Sequence, residues 1–118
     1  MTSTKNKALL GIASLSLLLV LTACGGSGGE MSADAKAGEE VFKRNCTACH
    51  TVGSGDRIGP DLQGVSQRRD RDWLVSWLDD PVGMGKNDPV GQELLAQWNN
   101  VPMSDSNLSP EEINQVIA

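Results

Sequence analysis

Tyrosine is absent from this chain of 118 residues, and phenylalanine and histidine each occur only once. Tryptophan occurs three times, and 39% of all residues are hydrophobic. Because part of that apolar content forms one N-terminal run, few apolar residues remain for the interior of a domain whose small size already makes it marginally stable. The shortage predicts that something other than side chains fills part of the core.

Blocks of like charge are also absent, although the formal net charge is −5. Acidic residues spread along a chain are typical of a solvated surface, and an acidic balance argues against nucleic acid as a partner because phosphates repel it. The same balance is compatible with docking onto a basic patch of another protein. A chain of this length is predicted to hold one domain, and we expect a monomer.

The longest uncharged run lies near the N-terminus. Lys5 and Lys7 are followed by sixteen uncharged, mostly apolar residues, ALLGIASLSLLLVLTA. A basic start and an apolar run of this length are typical of a secretory signal. The run is short for a permanent membrane span, which needs about 20 apolar residues. An ordinary cleaved signal and an uncleaved anchor remain as alternatives.

The apolar run ends in LTAC, which resembles the lipobox of bacterial lipoproteins. The resemblance implies a lipid on Cys24, cleavage directly before it, and a signal peptide over 1–23. The following GGSGGE is typical of a flexible tether, so 24–31 is interpreted as a linker and 32–118 as the folded domain. We therefore expect a membrane-anchored lipoprotein that faces the periplasm or the cell exterior. Loss of Lys5 and Lys7 with the signal would change the formal net charge from −5 to −7.

Strand patterns are missing, since no clear apolar and polar alternation continues over four or more residues. Helix patterns recur instead, and they predict four short helices: about 33–49, about 72–79, one after Asp88-Pro89, and one that begins after Ser109. The last has the clearest start, because Ser109, Pro110 and Glu112 fit a capping box with proline at the first helical position. The expected fold is small and all-α, with long loops.

The only histidine follows directly after Cys49 in the motif CTACH, which begins at Cys46. Cys-x-x-Cys-His is the attachment motif of c-type haem. Two cysteines on one helical turn can reach the two vinyl groups at one haem edge, and the imidazole of His50 then lies beneath the iron. A flat, apolar haem would also supply the core that the side chains lack.

Three other chemistries use paired cysteines. A structural disulfide between Cys46 and Cys49 would leave His50 without a role. A zinc site needs about four ligands, whereas the remaining cysteine is the one predicted to carry lipid. A redox dithiol usually accompanies an alternating α/β pattern, which this sequence lacks. Haem attachment is therefore the favoured interpretation.

Three segments in order resemble the monohaem class I cytochromes c, in the short form found among bacterial lipoproteins: AGEEVFKRNCTACH, GPDL and VPMSDSNLSPEEINQVIA. The resemblance covers about residues 36–118. It implies a small, all-α, cytochrome c-like fold of about four short helices and long loops around one covalent haem c. It also implies an electron-transfer protein that is not an enzyme.

The resemblance assigns roles to individual residues. It implies thioether bonds at Cys46 and Cys49, with His50 as the proximal ligand of the iron. It implies that the carbonyl of Pro60 accepts a hydrogen bond from the other ring nitrogen of His50, and that Met103 is the sixth ligand. Further residues are implied to line or flank the haem: Phe42, Leu62, Trp73 and Trp77. Finally, it implies that Gly38 lets the first helix cross the last one closely.

Two of these assignments leave alternatives open. Met84 also follows the second predicted helix, although Met103 is favoured because the capped last helix gives it a fixed scaffold. A tryptophan pair at helical spacing is more often core than site, although both can hold where the core is the cofactor, and an indole N–H could also bind a haem propionate. Arginines are further candidates for the propionates: Arg57, Arg68 and Arg69.

A haem with histidine and methionine ligands has both axial sites filled, so one-electron transfer is the expected function. We expect a tethered carrier that passes electrons between respiratory partner proteins, with a terminal oxidase or a periplasmic reductase as acceptor. One alternative is a haem-based sensor or gas-binding module with an open sixth site. Another is a haem subunit fixed permanently in a larger oxidoreductase.

Overall fold

The computed structural model describes residues 30–118, so the predicted signal peptide and Cys24 lie outside the described residues, as does most of the tether. The described part contains six α-helices and no strand, which confirms the all-α fold class. The helices are α1 (Ala33–Asn45), α2 (Val65–Arg68), α3 (Arg71–Asp79), α4 (Pro81–Asn87), α5 (Pro89–Gln97) and α6 (Pro110–Ile117). Over these residues, no helix combines the length and the apolar character that a membrane crossing requires.

Side-chain caps determine where most of these helices begin. Ser32 caps α1, and both bonds of the predicted capping box between Ser109 and Glu112 are present at the start of α6. Asp80 and Asp88 cap α4 and α5 in the same way, each with a proline at the beginning of the helix that follows. A cap of this kind satisfies an N–H group that has no partner within the helix.

One predicted helix boundary is wrong, and two helices, α2 and α4, were not predicted. The first helix ends at Asn45 instead of continuing to Cys49, and the N–H of Cys49 then bonds to the carbonyl of Cys46, three positions back, instead of to that of Asn45 four positions back. Pro81 follows the end of α3, but it also begins α4, which was not predicted. The sequence of α4, PVGMGKN, does not indicate a helix because it contains two glycines, which disfavour helix interiors.

α1 and α6 cross in close contact at Gly38. A Cβ added to Gly38 would overlap the carbonyl of Gln115 and would lie 2.9 Å from the Cα of Val116, so only glycine allows this approach. Only three hydrophobic side chains of the described residues are buried, one each from α1, α3 and α6: Val41, Leu74 and Ile113. This core is as small as the composition predicts.

Candidate haem site

The two cysteines of the CTACH motif lie on the turn that follows α1. The N–H groups of Cys49 and His50 donate to the carbonyl of Cys46 at 3.1 and 2.8 Å, which folds the motif into one tight turn. Both cysteines are free thiols and are half-buried, so no disulfide joins them. Burial raises the pKa of the Cys46 thiol. The turn presents two thiols and one imidazole at a single corner of the fold.

His50 is oriented by the loop that follows it. Its Nδ1 lies 2.8 Å from the carbonyl oxygen of Pro60. Because a carbonyl can only accept, Nδ1 carries the proton and donates it. Nε2 is then the ring nitrogen left for a metal.

Gly59 provides the space for the imidazole ring. A Cβ added to Gly59 would lie 2.5 Å from Cε1 of His50, closer than side-chain atoms approach one another. The N–H of Gly59 also donates to the carbonyl of Cys49 at 2.8 Å, which joins the loop to the cysteine turn. The sequence analysis assigns a contact with His50 to Pro60 alone, so the contact between Gly59 and the ring was not predicted.

Asp61 organises the rest of this loop, and sequence reasoning missed it. Its carboxylate accepts four hydrogen bonds of 2.6 to 2.9 Å, from the hydroxyl of Thr51 and the N–H groups of Gly53, Gly55 and Gln63. These bonds, led by those of Gly53 and Gln63, hold the pKa of Asp61 well below its usual range. Gly53 and Gly55 have φ of 79° and 85°, a conformation that favours glycine. The glycines of TVGSGD ahead of GPDL are the signal that points to this turn.

The two candidate methionines have different surroundings. Met84 lies within α4 rather than on a loop, and it borders a surface depression that three aspartates also line. Met103 lies between α5 and α6, half-buried, and its Sδ accepts a hydrogen bond of 3.2 Å from the indole N–H of Trp77. A hydrogen bond thus joins the sulfur of Met103 to α3.

The indoles of Trp73 and Trp77 stack on each other along α3, with ring centroids 5.2 Å apart and planes inclined by 14°. Trp73 donates its N–H to Oδ1 of Asp88 at 3.1 Å, and the guanidinium of Arg69 lies over its ring at 5.5 Å. Both indole N–H groups therefore have partners within the chain, a carboxylate and a sulfur.

The other predicted residues lie near the cysteine turn or along the loop after it. Phe42 and Leu62 are both half-buried, and the carbonyl of Phe42 accepts the N–H of Cys46 at 2.9 Å. Arg57 donates to the carbonyl of Thr47 at 2.6 Å, and Arg68 donates to carbonyls of the same loop. The roles of these side chains toward a haem or its propionates stay predictions.

The family model described as Cytochrome c matches residues 35–118, nearly all of the described part of the chain. The chain belongs to the cytochrome c family. Solved structures agree: a cytochrome c from Rhodothermus marinus superposes with a TM-score of 0.68 at 30% identity, over 75% of this chain and 79% of that one. A cytochrome c domain from Pseudomonas putida gives a TM-score of 0.59 at 38% identity, over 68% and 80% of the two chains.

A curated relative of this cytochrome, the cytochrome c-553-like protein of Synechocystis, is 40% identical over 62 residues. The match covers 52% of this chain and 55% of the relative. The chain therefore spans about half of the length of that relative.

Membership of this family implies one covalent haem c as the cofactor. The residues present fit that group. Cys46 and Cys49 follow the Cys-x-x-Cys-His pattern, and their thiols are free to form thioether bonds. The core fits as well, because the helices bury few hydrophobic side chains of their own and a haem adds a large apolar surface.

Proposed function

We propose that this cytochrome is a membrane-tethered one-electron carrier in which His50 and Met103 are the two axial ligands of the haem iron. The observation that supports this pair is that each donor atom has a partner that orients it. Nδ1 of His50 is bonded to Pro60, which leaves Nε2 for the metal. Sδ of Met103 accepts the indole N–H of Trp77 and retains a second lone pair. Oriented donors of this kind are usual around metals in proteins.

The proposed ligand pair restricts what the protein can do. With an imidazole on one side and a thioether on the other, no position remains for a substrate, so electron exchange with partner proteins is the chemistry that is left. Methionine as an axial ligand raises the reduction potential of a haem. The donor and acceptor are respiratory proteins in this proposal, with a terminal oxidase or a periplasmic reductase as acceptor.

The membrane anchor is proposed from the sequence ahead of the described residues. LTAC supports a lipid on Cys24, and GGSGGE supports a slack linker up to the first capped helix at Ser32. Such a linker keeps a domain at high effective concentration near its partners while it lets the domain turn. The domain then faces the periplasm or the cell exterior.

The ligand pair is tested by visible spectra of the holoprotein from a host that attaches haem c. Met103→Ala is expected to abolish the sulfur-to-iron charge-transfer band of the ferric protein, whereas the matched variant Met84→Ala is expected to keep it. Loss of the band in Met84→Ala alone would move the ligand to Met84. Rapid carbon monoxide binding by the reduced wild-type protein would indicate an open sixth site and a gas-binding function instead.

The anchor and the carrier role are tested on protein purified from membranes with detergent. Mass spectrometry is expected to find a mature chain that begins at Cys24, with the added mass of a diacylglyceryl group and one haem. A chain that keeps residues 1–23, or that lacks lipid, contradicts the anchor. Stable co-purification with other redox subunits after lipid is dissolved contradicts a carrier and supports a fixed subunit.

A further inference from the structure

A chain of contacts leads from the start of α5 to the sulfur of Met103. Asp88 accepts the indole N–H of Trp73 at 3.1 Å, and the ring of Trp73 stacks on that of Trp77 with centroids 5.2 Å apart. Trp77 then donates to Sδ of Met103 at 3.2 Å. Three consecutive contacts thus connect a helix-capping carboxylate to the proposed iron ligand.

We propose that Asp88 and Trp73 are positioning residues that act through Trp77 on the sulfur of Met103. The inference rests on the proposed ligation by Met103. It gives a role to the α4–α5 segment, whose contacts then contribute to the reduction potential.

Asp88 is held rigidly because it is hydrogen-bonded to both α4 and α5. Its N–H closes α4 on the carbonyl of Met84 at 2.9 Å, and its Oδ1 caps α5 by accepting the N–H of Gly91 at 2.9 Å. A Cβ added to Gly91 would lie 3.1 Å from the Cα of Gly85, so α4 and α5 meet without spare room. The bonds from Gly91 and then Trp73 lower the pKa of Asp88, so the carboxylate stays charged and its bond to the indole is charge-assisted.

Trp73 restrains the orientation of Trp77 because other groups contact both the N–H edge and one face of the Trp73 ring. Asp88 holds the N–H edge, and the guanidinium of Arg69 lies over the ring at 5.5 Å. The side chain is half-buried and stacks nearly parallel to Trp77, with 14° between the two planes. A ring restrained at its edge and its face has few other rotamers available, so it fixes the plane of its neighbour.

The plane of Trp77 decides where its N–H points, and hydrogen bonds weaken steeply when they are misaligned. A thioether sulfur has two lone pairs, and the one that accepts the indole proton is not available to a metal. The bond therefore selects which lone pair of Met103 faces the iron. It also withdraws electron density from the sulfur, which weakens the bond of the sulfur to ferric iron more than its bond to ferrous iron. The reduced state is therefore favoured, and the reduction potential rises.

The test compares variants of the holoprotein by reduction potential and by nuclear magnetic resonance of the Met103 methyl group in the reduced state. Trp77→Phe removes the donor itself, and we expect about a tenfold shift toward the oxidised form, which corresponds to about 59 mV for one electron. Trp73→Phe and Asp88→Ser are expected to lower the potential in the same direction, by less. In all three variants the single methyl signal is expected to divide or broaden as the sulfur samples both configurations.

Asp80→Ser is the matched control for Asp88→Ser. Both aspartates cap a helix by accepting the N–H three positions along the chain, and serine caps about as well, but Asp80 accepts no indole. Asp80→Ser is therefore expected to keep the wild-type potential and methyl signal. If Asp88→Ser and Trp73→Phe keep wild-type values, or if Asp80→Ser shifts them equally, the inference is wrong. Met103→Ala tests the ligand pair separately. If this variant loses the sulfur-to-iron charge-transfer band, Met103 is an iron ligand even where the inference about Asp88 and Trp73 is wrong.

Discussion

The histidine region, residues 49–63, and the methionine region, residues 98–109, are stabilised by contacts of different range. In the histidine region, the bonds of His50 to Pro60 and of Thr51 to Asp61 each join residues ten positions apart. In the methionine region, the bonds of Met103 and Ser106 reach α3, 26 and 28 positions away. One region is held by its own loop, whereas the other depends on a helix that is distant in sequence.

This difference suggests that the two regions respond differently when the fold loosens. Local contacts survive partial unfolding because they require no packing between distant elements, whereas contacts between distant elements are lost with that packing. The cytochrome is therefore expected to release Met103 before His50 as denaturant is added. Substitutions in each region can break or sharpen this comparison.

The largest effect is expected from Gly59→Ala, which places a methyl group against the imidazole of His50. The ring must move, so its bond to Pro60 is lost, and loss of such a partner typically weakens a metal ligand by about 10- to 100-fold. Because protons compete with the iron for Nε2, we expect the acid-induced loss of the low-spin spectrum to move up by about 1 to 2 pH units. Ser54→Ala, in the same loop, is the control and is expected to keep the wild-type midpoint. An unchanged midpoint in Gly59→Ala would show that the ring does not need this space.

A smaller effect is expected from Asp61→Asn, which removes the charge that four donors share. The pKa of Asp61 is lowered in the folded protein, so its contribution to stability is present above the ordinary pKa of about 4 and is lost as the pH falls below it. Urea unfolding of the variant is expected to show a lower free energy of unfolding at pH 7 and a shallower decline between about pH 5 and pH 3. Asp105→Asn, outside the loop, serves as the control. A decline as steep as that of the wild type would assign the acid sensitivity to other groups, such as Glu112, whose pKa is also lowered.

The same contrast in range explains what the sequence could and could not predict. The CTACH motif and the capping box of α6 lie within a few consecutive residues, so the sequence alone identifies both of them. The crossing at Gly38 came from the resemblance to the family, because nothing local indicates that Gln115 lies against it.

Structural details that depend on loop geometry were missed. Asp61 is an unremarkable acid in sequence, and its four donors converge only once two glycines adopt positive φ. No helix was predicted around Met84, yet the cap at Asp80 and the proline that follows begin one there. The hydrogen bond between Trp77 and Met103 could not be predicted either, because a bond across 26 positions leaves no pattern in the sequence.

The smallest effect is expected from Ser106→Ala, which removes one of the bonds between the methionine region and α3 and leaves the histidine region unchanged. The hydroxyl of Ser106 donates to the carbonyl of Leu78 at 2.8 Å, in the last turn of α3, where carbonyls have no partner within the helix. Its loss is expected to cost about 1 kcal/mol, and to lower the urea midpoint of the sulfur-to-iron band while the helical signal changes less. Thr47→Ala removes a similar bond next to the cysteine turn, from a hydroxyl to the carbonyl of Lys43 at 2.9 Å, and is expected to leave the sulfur band unchanged. If both variants shift that band equally, the two regions unfold as one unit, and the range of their contacts does not separate them.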